Sequence, residues 1–147
     1  MYRLLLVEDL FDIREDIKGY FSSKCNDAFI LDISIDLFDG IKKIRANTYD
    51  LVILDLGLAK KNGSGFFCIF SKNCPYPLMF IIDLNNEDEA DLAYAAGTVS
   101  LVIKPVVASD IFESVSDYFA ERTEQVKNSL ECSGIMMNPR TGQIGRA

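Results

Sequence analysis

Four short stretches carry the residues best placed to do chemistry: Val7-Glu8-Asp9, Leu51-Val52-Ile53-Leu54-Asp55, Gly63 and Ile103-Lys104-Pro105. Each sets a charged or turn-forming residue at the end of an apolar run. Continuous apolar runs mark parallel strands covered by helices on both faces, and ligands bind outside the carboxyl ends of such strands. Glu8, Asp9, Asp55 and Lys104 are therefore expected to converge on one rim. Three carboxylates gathered there repel one another, which raises a pKa or recruits a hard divalent cation, and a lysine beside them adds a further positive charge. Such a rim suits the handling of a phosphoryl group.

The elements that must hold these residues follow from periodicity. Arg3 to Val7 predicts a first strand, and Asp12 to Phe21 a helix with Ile13, Ile17, Tyr20 and Phe21 on one face. Phe29 to Ile35 is apolar and β-branched, and Leu37, Ile41 and Ile44 then recur at helical spacing up to Asn47. Leu51 to Leu54 predicts the third strand, and Gly63-Ser64-Gly65 opens a helix that Cys74-Pro75-Tyr76-Pro77 breaks. Leu78 to Ile82 is the fourth strand. Asn86, with Glu89 three residues on, predicts a capped helix that stops at Gly97. Val99 to Ile103 is the fifth strand, and Ser109 or Asp110 caps a last helix to about Val126, with Ile111, Val115, Tyr118 and Phe119 as its buried face. Five strand–helix cycles with short connections predict an α/β fold with a doubly wound parallel sheet.

With 147 residues, 49% hydrophobic and 25% charged, the chain falls in the single-domain range and can bury a core. Its net charge of −7, with no basic stripe, argues against nucleic-acid binding by this segment. No apolar run approaches the length that spans a bilayer, so no membrane partner and a cytoplasmic location are expected. The absence of histidine excludes Ser-His-Asp and Cys-His catalysis within the chain and removes the usual imidazole ligand of zinc. Cys25, Cys68, Cys74 and Cys132 show no CxxC spacing and are read as reduced, mostly core-filling thiols. Residues 127–147 differ from 1–126, with three glycines, one proline and no further amphipathic period. Ile135-Met136-Met137 and Gln143-Ile144, around Asn138 to Gly142, form a candidate hairpin, so this end is read as a tail or as the start of a missing output domain.

Strand, paired acids, helix; strand, Asp, loop, Gly, helix; strand, Lys-Pro, helix: from about Tyr2 to Arg122 this order resembles the receiver domain of two-component response regulators. Leu5-Leu6-Val7-Glu8-Asp9 resembles that family's first strand and acidic pair, Asp50 to Leu56 its phosphoacceptor strand, and Asn62-Gly63 the turn after it; Ala96-Gly97 and Ile103-Lys104-Pro105 complete the match. The resemblance implies a five-stranded flavodoxin-like (βα)5 sheet of order 2-1-3-4-5. It implies that Asp55 accepts a phosphoryl group from a partner's phosphohistidine, on a histidine kinase or phosphotransfer protein, and signals to an output domain or protein partner. Asp9, Asp55 and the Gly57 carbonyl would hold Mg²⁺, with Glu8 acting through a bound water, and Lys104 would meet the acylphosphate across a cis bond to Pro105. Mg²⁺ favours octahedral oxygen ligation and keeps waters. No turnover of an external substrate is expected.

Two positions depart from the family pattern. Where the family carries a Thr or Ser hydroxyl stands Ile82, and where its aromatic switch sits stands Leu101. Neither can play the family's part: Ile82 donates no hydrogen bond and Leu101 has no ring to swing. Asp83 follows, where the family prefers a small residue, and is expected to place a carboxylate near the incoming phosphoryl group; a one-residue slip would instead put Asp83 at the hydroxyl position. Ala59 replaces a frequent proline. The plain alternative for Ile82 and Leu101 is core packing in strands. A pseudo-receiver, an interaction module working without phosphorylation, is the rival reading. A flavodoxin-like electron carrier is disfavoured because Glu8 and Asp9 would repel a flavin phosphate, and an aspartyl phosphatase because Asp55-Leu56-Gly57 lacks a second acid.

Overall fold

The computed structural model describes residues 2–25, 28–61 and 64–133. The apolar runs form five strands: β1 (Tyr2–Val7), β2 (Phe29–Ser34), β3 (Leu51–Asp55), β4 (Leu78–Ile82) and β5 (Ser100–Ile103). The helices are α1 (Phe11–Cys25), α2 (Leu37–Ala46), α3 (Leu56–Lys60), α4 (Ser64–Asn73), α5 (Glu87–Ala95) and α6 (Ala108–Ser133). Every strand pair is parallel, in the order β2-β1-β3-β4-β5. This is the expected flavodoxin-like α/β sheet of order 2-1-3-4-5.

Every residue of β3 and of β4 is buried, as required of central strands with helices on both faces. On one face Val52, Leu54, Phe80 and Ile82 join Leu37 and Ile44 of α2 and Phe67 and Phe70 of α4 in one core cluster. On α1, Ile17 and Phe21 are buried. Phe112, in the first turns of α6, stacks edge-on against Tyr20, Phe21 and Phe29, with ring centroids 5.2 to 6.0 Å apart. Edge-on contacts of this kind add to the packing that Phe21, the buried ring of the group, contributes.

Three elements differ from expectation. α3 begins immediately after β3, because the Asp55 carboxylate accepts the Leu58 N–H at 3.3 Å and caps it. α5 has Asn86 at its N-cap, yet the Asn86 side chain makes no capping bond to the helix and instead donates to Glu89 at 3.3 Å. α6 runs to Ser133, past Val126, since neither Gly nor Pro interrupts residues 127–133. Gly97, at φ +78, lies in the left-handed region that favours glycine, just beyond α5.

The chain divides into two compact units, Met1–Ser114 and Val115–Ala147. The described part of the second, residues 115–133, belongs to α6, with Val115 and Phe119 buried at a four-residue spacing. Asn62-Gly63 and the candidate hairpin from Ile135 to Ile144 lie outside the described residues. Cys74 is a free, half-buried cysteine packed against the core. Among the described residues no helix is long and apolar enough to cross a membrane.

Candidate functional site

Strand register brings the rim together. Val7 pairs with Leu54, Asp55 with Ile81, and Ile82 with Ile103. Glu8 is therefore level with Asp55 across one boundary, and Asp83 with Lys104 across another. Asp55 is 2% exposed. Its Oδ2 lies 3.2 Å from the Lys104 Nζ, and its Oδ1 is the oxygen that caps α3. Gly57 packs so close that a Cβ there would sit 3.1 Å from Asp55 Oδ1 and 3.5 Å from Lys104 Nζ. The Lys104-Pro105 bond is cis.

Glu8 is fully buried, and its Oε1 has no hydrogen-bond partner among the described residues. Burial, reinforced by the neighbouring charge of Asp55, pushes its carboxyl up to about 8. Asp9 behaves in the opposite way. Burial would raise its pKa, but the hydrogen bond and charge of Lys61 outweigh that and hold it below the ordinary range. Lys61 Nζ stands 2.5 Å from Asp9 Oδ2. Arg14, one turn into α1, donates to the carbonyls of Glu8 and Asp9 at 3.2 and 2.8 Å and so fixes the loop that presents both acids.

The neighbouring loop is held by Glu89, 2% exposed on the first turn of α5. Its Oε1 accepts the Asp83 backbone N–H at 2.9 Å, and its Oε2 lies 3.5 Å from Lys60 Nζ, which also pairs with Asp88 at 3.1 Å. The Asp83 carboxylate turns into its own loop, where Oδ1 accepts the Asn85 N–H at 2.9 Å. Ile82 is buried in the core, and Leu101 packs against it in part. Reading the sequence for strand-end residues missed Lys61, Glu89 and Lys60. The adjacent lysines at the end of α3, and a Glu three residues after a candidate cap, were the signals available.

The three acids fit Mg²⁺ in kind, as hard oxygen donors, and the donorless Glu8 Oε1 is one such oxygen. Their disposition is another matter. Among the described residues no group of three or more His, Cys, Asp or Glu is arranged to hold a metal ion. Lys61 and Lys104 engage oxygens of Asp9 and Asp55. Gly57 lies within α3, where helical carbonyls point along the axis, away from the capping Asp55.

No protein-family model matches the chain. It is 26% identical over 143 residues, 97% of the chain and 62% of the relative, to the transcriptional regulatory protein DltR of Streptococcus agalactiae. It is 25% identical over 138 residues, 94% of the chain and 60% of the relative, to the response regulator ArlR of Staphylococcus saprophyticus. The chain thus spans about three fifths of the length of these curated relatives. A response regulator receiver domain protein (CheY-like) from Methanospirillum hungatei superposes with a TM-score of 0.70 at 19% identity, covering 85% of this chain and 98% of that one. The fold by itself defines the flavodoxin-like class, which hosts many activities. With the curated relatives beside it, fold and sequence together support a response-regulator receiver domain.

Proposed function

We propose that the chain accepts a phosphoryl group on Asp55 from the phosphohistidine of a histidine kinase or phosphotransfer protein, and passes the signal to an output domain or protein partner in the cytoplasm. The observation that carries this reading is the buried Asp55 carboxylate with the Lys104 ammonium 3.2 Å from its Oδ2. An Asp55 oxygen attacks phosphorus, the O–P bond forms, and the N–P bond of the donor breaks with its electron pair leaving on the imidazole. Lys104 orients the carboxylate and offsets negative charge on the transferred oxygens. Glu8, Asp9 and Asp55 are the residues that would hold Mg²⁺, which when bound neutralises the charge of the phosphoryl oxygens. Arg14 keeps the two loop acids in place, and the apolar strands beneath exclude water from the lower side of the site.

Incubation with acetyl phosphate and Mg²⁺, followed by intact mass measurement, tests this. A single phosphate adduct is expected in the wild type, with none in Asp55→Asn or in excess EDTA. An adduct that persists in Asp55→Asn would refute the assignment. A chain that gains no adduct and binds its partner equally well as Asp55→Asn would be the rival interaction module.

A further inference from the structure

Two of the three acids at the rim are each matched by a lysine, and the third is not. Lys104 stands on Asp55, Glu8 is buried with its Oε1 lacking any donor, and Lys61 stands on Asp9. Lys104 comes from the end of β5, as the strand-end pattern requires. Lys61 comes from elsewhere: it is the C-cap residue of α3, whose first turn Asp55 caps. α3 is thus fastened to the carboxylate cluster at both ends. The Lys61 ammonium also lies within the field of Asp55 and Glu8.

We propose that Lys61 is the resident counter-cation of this cluster and must leave Asp9 before a divalent cation can enter, so that Lys61 sets the affinity of the site for that ion. This rests on the Mg²⁺-dependent phosphoacceptor reading above. An ammonium and a divalent cation that seek the same carboxylate oxygen exclude one another, first by occupancy and then by repulsion at short range. The lysine side chain is suited to such an exchange, being a compact charge on a flexible stem, and that of Lys61 is 66% exposed. Glu8 Oε1, buried without a donor, is an oxygen Lys61 does not satisfy. The cluster therefore holds a cation while one of its oxygens still lacks a partner. The same residue that guards Asp9 also ends α3, so its departure releases the far end of the helix that contains Gly57.

Titrating MgCl₂ into the full chain without a phosphodonor, with the thermal midpoint as readout, compares wild type with Lys61→Met, Lys61→Arg and Lys60→Met. Lys61→Met should bind Mg²⁺ roughly three- to tenfold more tightly, while Lys61→Arg and Lys60→Met stay close to wild type. In the wild type, the side-chain NMR signal of Lys61 should move in step with Mg²⁺ occupancy. Measurable but equal affinities in wild type and Lys61→Met overturn the role of Lys61 alone. So does equal tightening in Lys60→Met, which would reduce the effect to net charge, or a Lys61 signal that stays put at saturation. No Mg²⁺ response in any variant overturns the metal-dependent reading and this inference together.

Discussion

The Glu89 Oε1 accepts the backbone N–H of Asp83 at 2.9 Å, so a buried carboxylate on α5 holds the loop that leaves β4. Lys60 adds a second tie from α3 to the same carboxylate, at 3.5 Å. In this chain the loop that leaves β4 is fastened by charge from α5, and β4 ends on Ile82, which supplies no hydroxyl. Glu89→Ala should cost about 1–3 kcal/mol in urea unfolding, because it leaves the Asp83 N–H and the Lys60 ammonium without this acceptor. Glu89→Gln keeps an acceptor and should cost less. Equal and negligible losses in both would show that the carboxylate does not hold the loop.

Glu8 sets a pH dependence in metal-free buffer. An unperturbed Glu ionises near 4.5, whereas in the folded chain Glu8 ionises at about 8. Between those values the unfolded state releases a proton that the folded state retains, so stability falls as pH rises from 4.5 to about 8 and levels off beyond. Asp9, held low by Lys61, works the other way and loses its contribution only in more acidic solution. Melting curves recorded in EDTA from about pH 5 to 8 should slope downward for wild type and flatten in Glu8→Gln. Parallel curves would remove Glu8 from the account.

Gly57→Ala separates fold from chemistry. A methyl group gains helix propensity in α3, worth about 0.5–1 kcal/mol, but sits 3.1 Å from Asp55 Oδ1. Stability should change little, while labelling by acetyl phosphate slows roughly ten- to hundredfold, since small displacements of reacting groups are costly in rate. Unchanged labelling would mean that the incoming phosphoryl group does not approach from the Gly57 side.

Because Ile82 and Leu101 are packed as core, a beryllofluoride mimic on Asp55 should shift backbone amides mainly in α3 and in the loop after β4. A ligand moves a two-state element only through a difference in affinity between its states, and neither residue can supply the polar contact that would create one. Large amide shifts across β5 and the first turns of α6 would contradict this.

Tyr49 offers a test far from the acids. Its hydroxyl donates to Asp32 at 2.7 Å, and Arg3 holds the same carboxylate at 2.9 Å while lying 5.3 Å from the Tyr49 ring centroid. Tyr49→Phe should cost about 1 kcal/mol in urea unfolding, a typical value for one hydrogen bond whose acceptor keeps another partner. It should leave Asp55 labelling unchanged. A loss of labelling would show that this knot and the rim are linked through β1 and β3.

The sheet and its rim were legible because the apolar runs Leu4–Val7, Leu51–Leu54 and Leu101–Ile103 are unbroken and each is followed at once by its charged residue. Val7-Glu8-Asp9, Leu54-Asp55 and Ile103-Lys104 needed only the strand register to meet. What escaped the sequence were contacts between elements. Nothing local says that Lys61 reaches Asp9 across 52 positions, or that Glu89, in a sequence resembling a cap, turns back to Asp83. α3 escaped for a related reason: Leu56 to Lys60 is too short for a helical period, and its formation depends on the Asp55 carboxylate that caps it.

The two borders of the sheet, β2 and β5, end it in different ways. β2 carries Asp32 in mid-strand, paired in register with Leu5 and tied to Arg3, so a strand laid alongside would bury a carboxylate further without supplying it a new partner. β5 offers only four residues, and Pro105 beyond it has no N–H to give. A foreign chain seeking to extend the sheet by backbone pairing meets a charge at one border and a short template at the other. At high concentration the molecule is therefore expected to resist templated cross-β growth, although five parallel strands rich in Leu, Ile and Val would otherwise invite it.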